Sequence, residues 1–190
     1  MRVGVMKPVE TGCAEVDGVL DPIDARTLAL AAGSTLSLEL SSPCRYRSPL
    51  EPAAAADADA QTPPDLADIS RCFREIATQN DAVIVEGVGG IATPLRWDSD
   101  FADLASMLEL ELIVVAANRD NCVNASMLTL KYAEARSLKI AGYILCDTEP
   151  ALSPDAEGNE PALRRLLGAL YLGRMRHREP LAKAIVEQLV

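Results

Sequence analysis

Histidine is almost missing from this chain: His177 is the only one. That count excludes several histidine metal ligands and argues against chemistry built on a histidine triad. His177 sits in the basic stretch RMRHREP and reads as a surface residue. Aromatic residues are scarce, at 4%. Positive charge is outweighed, with 18 Lys and Arg against 28 Asp and Glu and a net charge of −10. Such a surface argues against nucleic acid or an anionic membrane as the main partner. No apolar run reaches membrane-spanning length and no secretory signal follows Met1, so the expected compartment is the cytoplasm. The five cysteines, Cys13, Cys44, Cys72, Cys122 and Cys146, form no C-x-x-C pair and are odd in number. They read as reduced thiols, with no structural zinc.

What is present is length enough for a real core. The chain has 190 residues, 49% of them hydrophobic, with alanine and leucine dominant. That predicts a single α/β domain over residues 1–190. Strand and helix patterns alternate. Strands are expected at residues 2–6 (RVGVM), 81–85 (DAVIV), 111–118 (ELIVVAAN) and 140–146 (IAGYILC). Helices are expected at residues 21–33, capped by Asp21 and stopped by Gly33, and at 65–79, 100–110 and 124–138. Two more are expected at residues 159–170 and 180–189. Residues 41–64 read as a Pro- and Ala-rich loop with room for a short helix over the alanines. Continuous apolar strands alternating with helices predict a parallel sheet covered by helices on both faces. Ligands in such sheets bind where the strands end at their carboxyl side.

The strand ends are therefore the places to look. After RVGVM come Lys7, Thr11 and Gly12, readable as one wall of an anion site or as a surface turn. After DAVIV comes EGVGG. An acid ending a buried strand needs a partner or a metal, and the glycines of this turn let a backbone approach a phosphate or substrate closely. Glu86 thus reads as a magnesium or phosphate-side carboxylate, or as a partly buried residue of a capped turn. After the third strand a helix opens near Asn121. Its free N–H groups suit an anion, and capping by Asn121 or Asn124 accounts for them equally well. Asp24, in the first turn of its helix, reads by itself as a complement to the helix dipole.

Taken together, MKPVETG, IDARTLAL, YRSPLEPAAAA, VEGVGGIATPL, NRDNCVNASMLTL and GYILCDTEP resemble the dethiobiotin synthetase family, in its order and at roughly its spacing. The resemblance implies a P-loop NTPase-like α/β fold, a homodimer, and magnesium with ATP as co-substrate. The implied reaction joins carbon dioxide to an amine of 7,8-diaminopelargonic acid, phosphorylates the carbamate, and closes the cyclic urea of dethiobiotin. It implies that Lys7 is catalytic and that Asp24 and Glu86 hold magnesium. Thr11, Gly89 and Gly90 would meet the substrate. Cys122 and Asn124 would receive the substrate carboxylate from the neighbouring subunit. Asp24, Glu86, Gly87, Gly89 and Cys146 would face the nucleotide, with Cys146 standing where the family often has asparagine. The family's G-x-x-x-x-G-K-T loop is not found in the 190 residues, so the first strand–loop–helix unit is expected to be absent. On that expectation these residues alone catalyse at no useful rate. Two other readings remain: a non-catalytic paralogue that binds substrate or a partner, and a P-loop amidating enzyme of the cobyrinate type.

Overall fold

The computed structural model describes residues 1–180 together with Ala182, Ile185 and Glu187. It divides into two compact units, Met1–Leu108 and Glu109–Val190. In the first unit β1 (Val3–Met6) is followed by β2 (Val9–Glu10), β3 (Ala14–Val16) and β4 (Val19–Asp21). Next come α1 (Ile23–Ala32), α2 (Leu38–Ser41), β5 (Cys44–Arg45), α3 (Pro52–Ala58) and α4 (Leu66–Gln79). β6 (Ala82–Val85), β7 (Pro94–Arg96), β8 (Ser99–Asp100) and α5 (Phe101–Met107) complete it. The second unit holds β9 (Leu112–Ala117), α6 (Cys122–Ala135), β10 (Ile140–Cys146), α7 (Pro154–Leu167) and β11 (Tyr171–Met175).

The expected α/β class with parallel strands is found, and among the described residues the parallel pairing is divided over three small sheets. In the first unit β1 pairs in parallel with β6, in register from Val3 with Ala82 to Met6 with Val85. Helix α4 lies on one face so closely that a Cβ at Gly4 would stand 2.6 Å from Ile76 Cγ2. Helix α1 covers part of the other face, beside a groove lined by Val3, Val5, Leu28, Ala31 and Ile84. In the second unit β10 is central, between β9 and β11, both parallel to it. Its core gathers Cys122, Tyr143, Leu145, Leu163 and Tyr171.

Several expectations need correction. Strands β6 and β9 read as fully buried, yet Ile84 is 56% and Val115 60% exposed. Among the described residues each of these strands has one hydrogen-bonded neighbour, so one edge carries no ladder. The hairpin β3–β4 was not expected, although its turn, Asp17-Gly18 with φ of 51° and 80°, is the D-G pair that favours a tight hairpin. The helix expected at 159–170 begins at Pro154, where Ser153 accepts from the Ala156 N–H, and it ends at Leu167. Gly168, at φ 55°, breaks it, and β11 follows at Tyr171–Met175, where no element was expected. The helix expected at 180–189 falls largely on residues outside the described set. No described helix is long and apolar enough to cross a membrane.

The second unit is closed at its strand ends by a polar network. Asp147, directly after β10 and 7% exposed, accepts from Arg174 Nε at 2.9 Å and Nη2 at 2.7 Å. Asn118, directly after β9, donates to Asp147 at 2.8 Å and accepts from Asn159 at 3.0 Å. Burial alone would raise the Asp147 carboxyl, but Arg174 and Asn118 outweigh it and hold the pKa below the usual aspartate value. A depressed carboxylate contributes stability above its unfolded pKa, ~4, and loses it as pH falls through the lower folded value. Asp147→Ala strands Arg174, which keeps Glu160 at 3.2 Å. The expected loss is therefore at the low end for a broken buried pair, about 3 kcal/mol. Urea unfolding at pH 7 checks it, and the difference between the two proteins should shrink toward pH 3.

Candidate functional site around Lys7

The register of the first sheet builds this site. Because Met6 lies opposite Val85, the residues that follow, Lys7 and Glu86, leave the sheet side by side. The ladder continues one step further, with the Glu86 N–H donating to the Met6 carbonyl at 2.8 Å. The chain after β1 is then tied down residue by residue. The Lys7 N–H donates to Ser41 O at 2.7 Å, Cys44 N–H to Pro8 O at 3.2 Å, and Tyr46 N–H to Glu10 O at 2.9 Å. Gly12, at φ 73°, turns the chain and donates to Ser48 O at 3.1 Å.

Lys7 is 3% exposed, an unusual burial for an ammonium, and its three donors account for it. Nζ donates to Glu86 Oε1 at 2.7 Å and to the Gly87 carbonyl at 3.2 Å, and it meets Asp24 Oδ2 at 3.0 Å. Burial alone would lower the lysine pKa. The hydrogen bonds and charges of Glu86 and Asp24 outweigh it and hold the pKa above the ordinary value. Lys7 is thus a fixed cation at neutral pH. The pair's stabilising effect is complete below the ordinary lysine value of ~10.4 and is lost as pH climbs through the higher folded one.

The carboxylates face the other way. Their side chains keep 56% (Asp24) and 45% (Glu86) exposure. Both carboxylates meet the Lys7 ammonium, and both stay open to solvent as hard-oxygen ligands. That donor set fits magnesium, which takes one or two carboxylates and completes its shell with phosphate oxygens and water. Among the described residues no group of three or more His, Cys, Asp or Glu side chains could hold a metal without such help.

The glycine turn closes this side. Gly89 has φ 71°, and Gly90 N–H donates to Thr93 Oγ1 at 2.8 Å. A Cβ at Gly89 would stand 2.5 Å from that same hydroxyl, whereas one at Gly90 would meet nothing within 4 Å. Gly89→Ala should therefore lower the melting temperature by about 2–8 °C, from ~1–2 kcal/mol of left-handed strain. Gly90→Ala should leave it nearly unchanged. Equal effects in thermal melts would contradict the assignment of the turn.

The structure thus brings Lys7, Asp24, Glu86 and Gly87 into contact, with Gly89 and Gly90 following on the same turn. Thr11 lies on the tied-down segment next to Glu10. Cys122, Asn124 and Cys146 belong to the second unit. Asn124 is exposed at the start of α6, whereas the Cys122 thiol is buried, 3.7 Å from Tyr143 Oη. Asn121 occupies the N-cap of α6 without a capping side-chain bond. Asp21 does not cap α1 either: Pro22 is the N-cap residue, and Asp21 accepts from Arg26 at 2.9 and 3.0 Å. Sequence reasoning missed two residues here, Thr93 and Glu10. The latter's signal was a charged side chain inside a strand-end motif.

Residues 1–184 match the profile of a family described as an AAA domain. Over 177 residues the chain is 38% identical to the ATP-dependent dethiobiotin synthetase BioD of Anaeromyxobacter dehalogenans (strain 2CP-C), covering 93% of this chain and 73% of that protein. It is 32% identical over 181 residues to the protein of the same name from Thermodesulfovibrio yellowstonii (strain ATCC 51303 / DSM 11347 / YP87), covering 91% and 75%. A third protein of that name, from Aromatoleum aromaticum (strain DSM 19018 / LMG 30748 / EbN1), is 37% identical over 172 residues, covering 90% and 76%.

Proposed function

The chain belongs to the dethiobiotin synthetase family, and from that membership we propose how its residues form dethiobiotin from 7,8-diaminopelargonic acid, carbon dioxide and ATP. The observation that carries the reading is the buried Lys7 ammonium held between Asp24 and Glu86 at the ends of two parallel strands. A carbamate formed on one amine attacks the γ-phosphorus of ATP and ADP leaves. The second amine then attacks the carbon of the resulting mixed anhydride, phosphate departs, and the urea ring closes. Lys7 is the point cation at the carbamate and transferring phosphoryl group, where charge develops in the transition state. Its two carboxylate partners keep it charged and aimed. Asp24 and Glu86 would hold magnesium, which when bound neutralises phosphate oxygens. Gly87 and Gly89 let the phosphates lie against the backbone, while Thr11, Gly89 and Gly90 bound the substrate. Asn124 and the backbone near Cys122 serve the substrate carboxylate, and Cys146 stands at the nucleotide base.

A P-loop NTPase-like fold, a homodimer and a cytoplasmic setting complete the proposal. The free state of all five cysteines supports that setting, and sedimentation equilibrium decides between dimer and monomer. The reading is tested by ADP release from the complete gene product. Release should require diaminopelargonate and bicarbonate together, and steady ADP formation without either substrate would contradict it.

A further inference from the structure

Glu10 is a buried carboxylate that the reaction as described does not use. It ends β2 and is 5% exposed. Both its oxygens are spent on one object, the first turn of α1: Oε1 accepts from Asp24 N–H at 2.8 Å and Oε2 from Ala25 N–H at 3.0 Å. Those donors are the second and third residues of a helix whose N-cap, Pro22, has no side chain able to accept them. A serine or aspartate at position 22 would do the same work locally. Here the acceptor comes instead from the segment that carries Lys7, three residues downstream of it.

That placement has a consequence. Lys7 at one end of residues 7–10 holds the Asp24 carboxylate, and Glu10 at the other end holds the Asp24 backbone. We propose that Glu10 is a positioning residue: it acts as a remote cap for α1 and so sets where the Asp24 carboxylate stands beside Lys7. The proposal rests on the reading of Asp24 as a metal-side carboxylate and adds the group that aims it. The Glu10 main chain is itself fixed, its carbonyl accepting from Tyr46 N–H at 2.9 Å and from Cys13 Sγ at 3.6 Å. The clamp therefore has a rigid base in the parallel pair β2–β5.

The test reads two properties of the complete gene product: hydrogen exchange of the Asp24 and Ala25 amides, and Mn2+ binding as a probe for magnesium. In Glu10→Ala both amides should exchange about tenfold faster, the scale of a lost cap, and Mn2+ affinity should fall about tenfold. Glu10→Gln, which keeps one acceptor, should fall between. Adding Pro22→Asp to Glu10→Ala supplies a local acceptor to the same amides and should restore both readings. Unchanged exchange in Glu10→Ala would overturn the proposal. So would restored amide protection without restored Mn2+ affinity, since Glu10 would then act on the metal directly. If Glu10→Ala does not fold, Glu10→Gln with and without Pro22→Asp makes the same comparison. If the unsubstituted protein binds no Mn2+, the metal reading of Asp24 fails, and amide exchange still decides whether Glu10 is the cap.

Discussion

Lys7→Ala should lower dethiobiotin formation by the complete gene product about 10²–10³-fold, the usual loss when a preorganised charge-stabilising group is removed from a transition state. The argument depends on what else the substitution does. Lys7 is 3% exposed, so alanine also removes packed methylenes. Lys7→Met separates the effects, because it keeps the stem and removes only the charge. Its partners Asp24 and Glu86 remain about half exposed, and water replaces the lost ammonium. Urea unfolding of Lys7→Met should therefore shift by no more than about 1 kcal/mol, while turnover falls as far as in Lys7→Ala. Near-normal turnover in either variant would reduce Lys7 to a structural pair. Because Lys7 is held above the ordinary lysine pKa, its protonation should impose no loss of rate between pH 7 and about 10.

Glu86→Gln should reduce turnover at limiting magnesium by at least about 10–100-fold, a loss seen even for groups that only support a metal ligand. The amide oxygen of glutamine can still accept from Lys7 Nζ, now 2.7 Å from Glu86 Oε1, so the fold and the lysine's position should survive. What disappears is one negative charge on the solvent-facing side. Rising magnesium should recover part of the rate, which distinguishes weakened metal binding from a collapsed turn. Turnover equal to that of the unsubstituted protein at limiting magnesium would rule out the role.

The site was legible in proportion to how locally it is built. Lys7 and Glu86 could be picked out because each follows an apolar strand, and parallel register alone makes them neighbours. Asp24 could not be chosen from the residues, since a first-turn acid is explained by the helix dipole. Its place beside Lys7 depends on the angle at which α1 enters, and that angle is held by Glu10, fourteen residues away. The same limit appears in the fold. The Asp17-Gly18 hairpin and the Ser153-Pro154 helix start had local signals that were overlooked. β11 had none strong enough: Tyr171 to Met175 continue an apolar pattern, and only pairing with β10 makes them a strand. The buried Asn118 and Asp147 and the half-buried Arg174 come from three separate strands and meet only once the sheet has formed.

The most direct test of the central claim is incorporation of 13C-bicarbonate by the complete gene product, supplied with 7,8-diaminopelargonic acid, ATP and magnesium, and read by mass spectrometry. The account predicts dethiobiotin one mass unit heavier at its ureido carbon, formed with one ADP per product and about 10²–10³-fold more slowly in Lys7→Ala. A folded protein that makes no labelled dethiobiotin, or that makes it equally well without Lys7, would contradict the account.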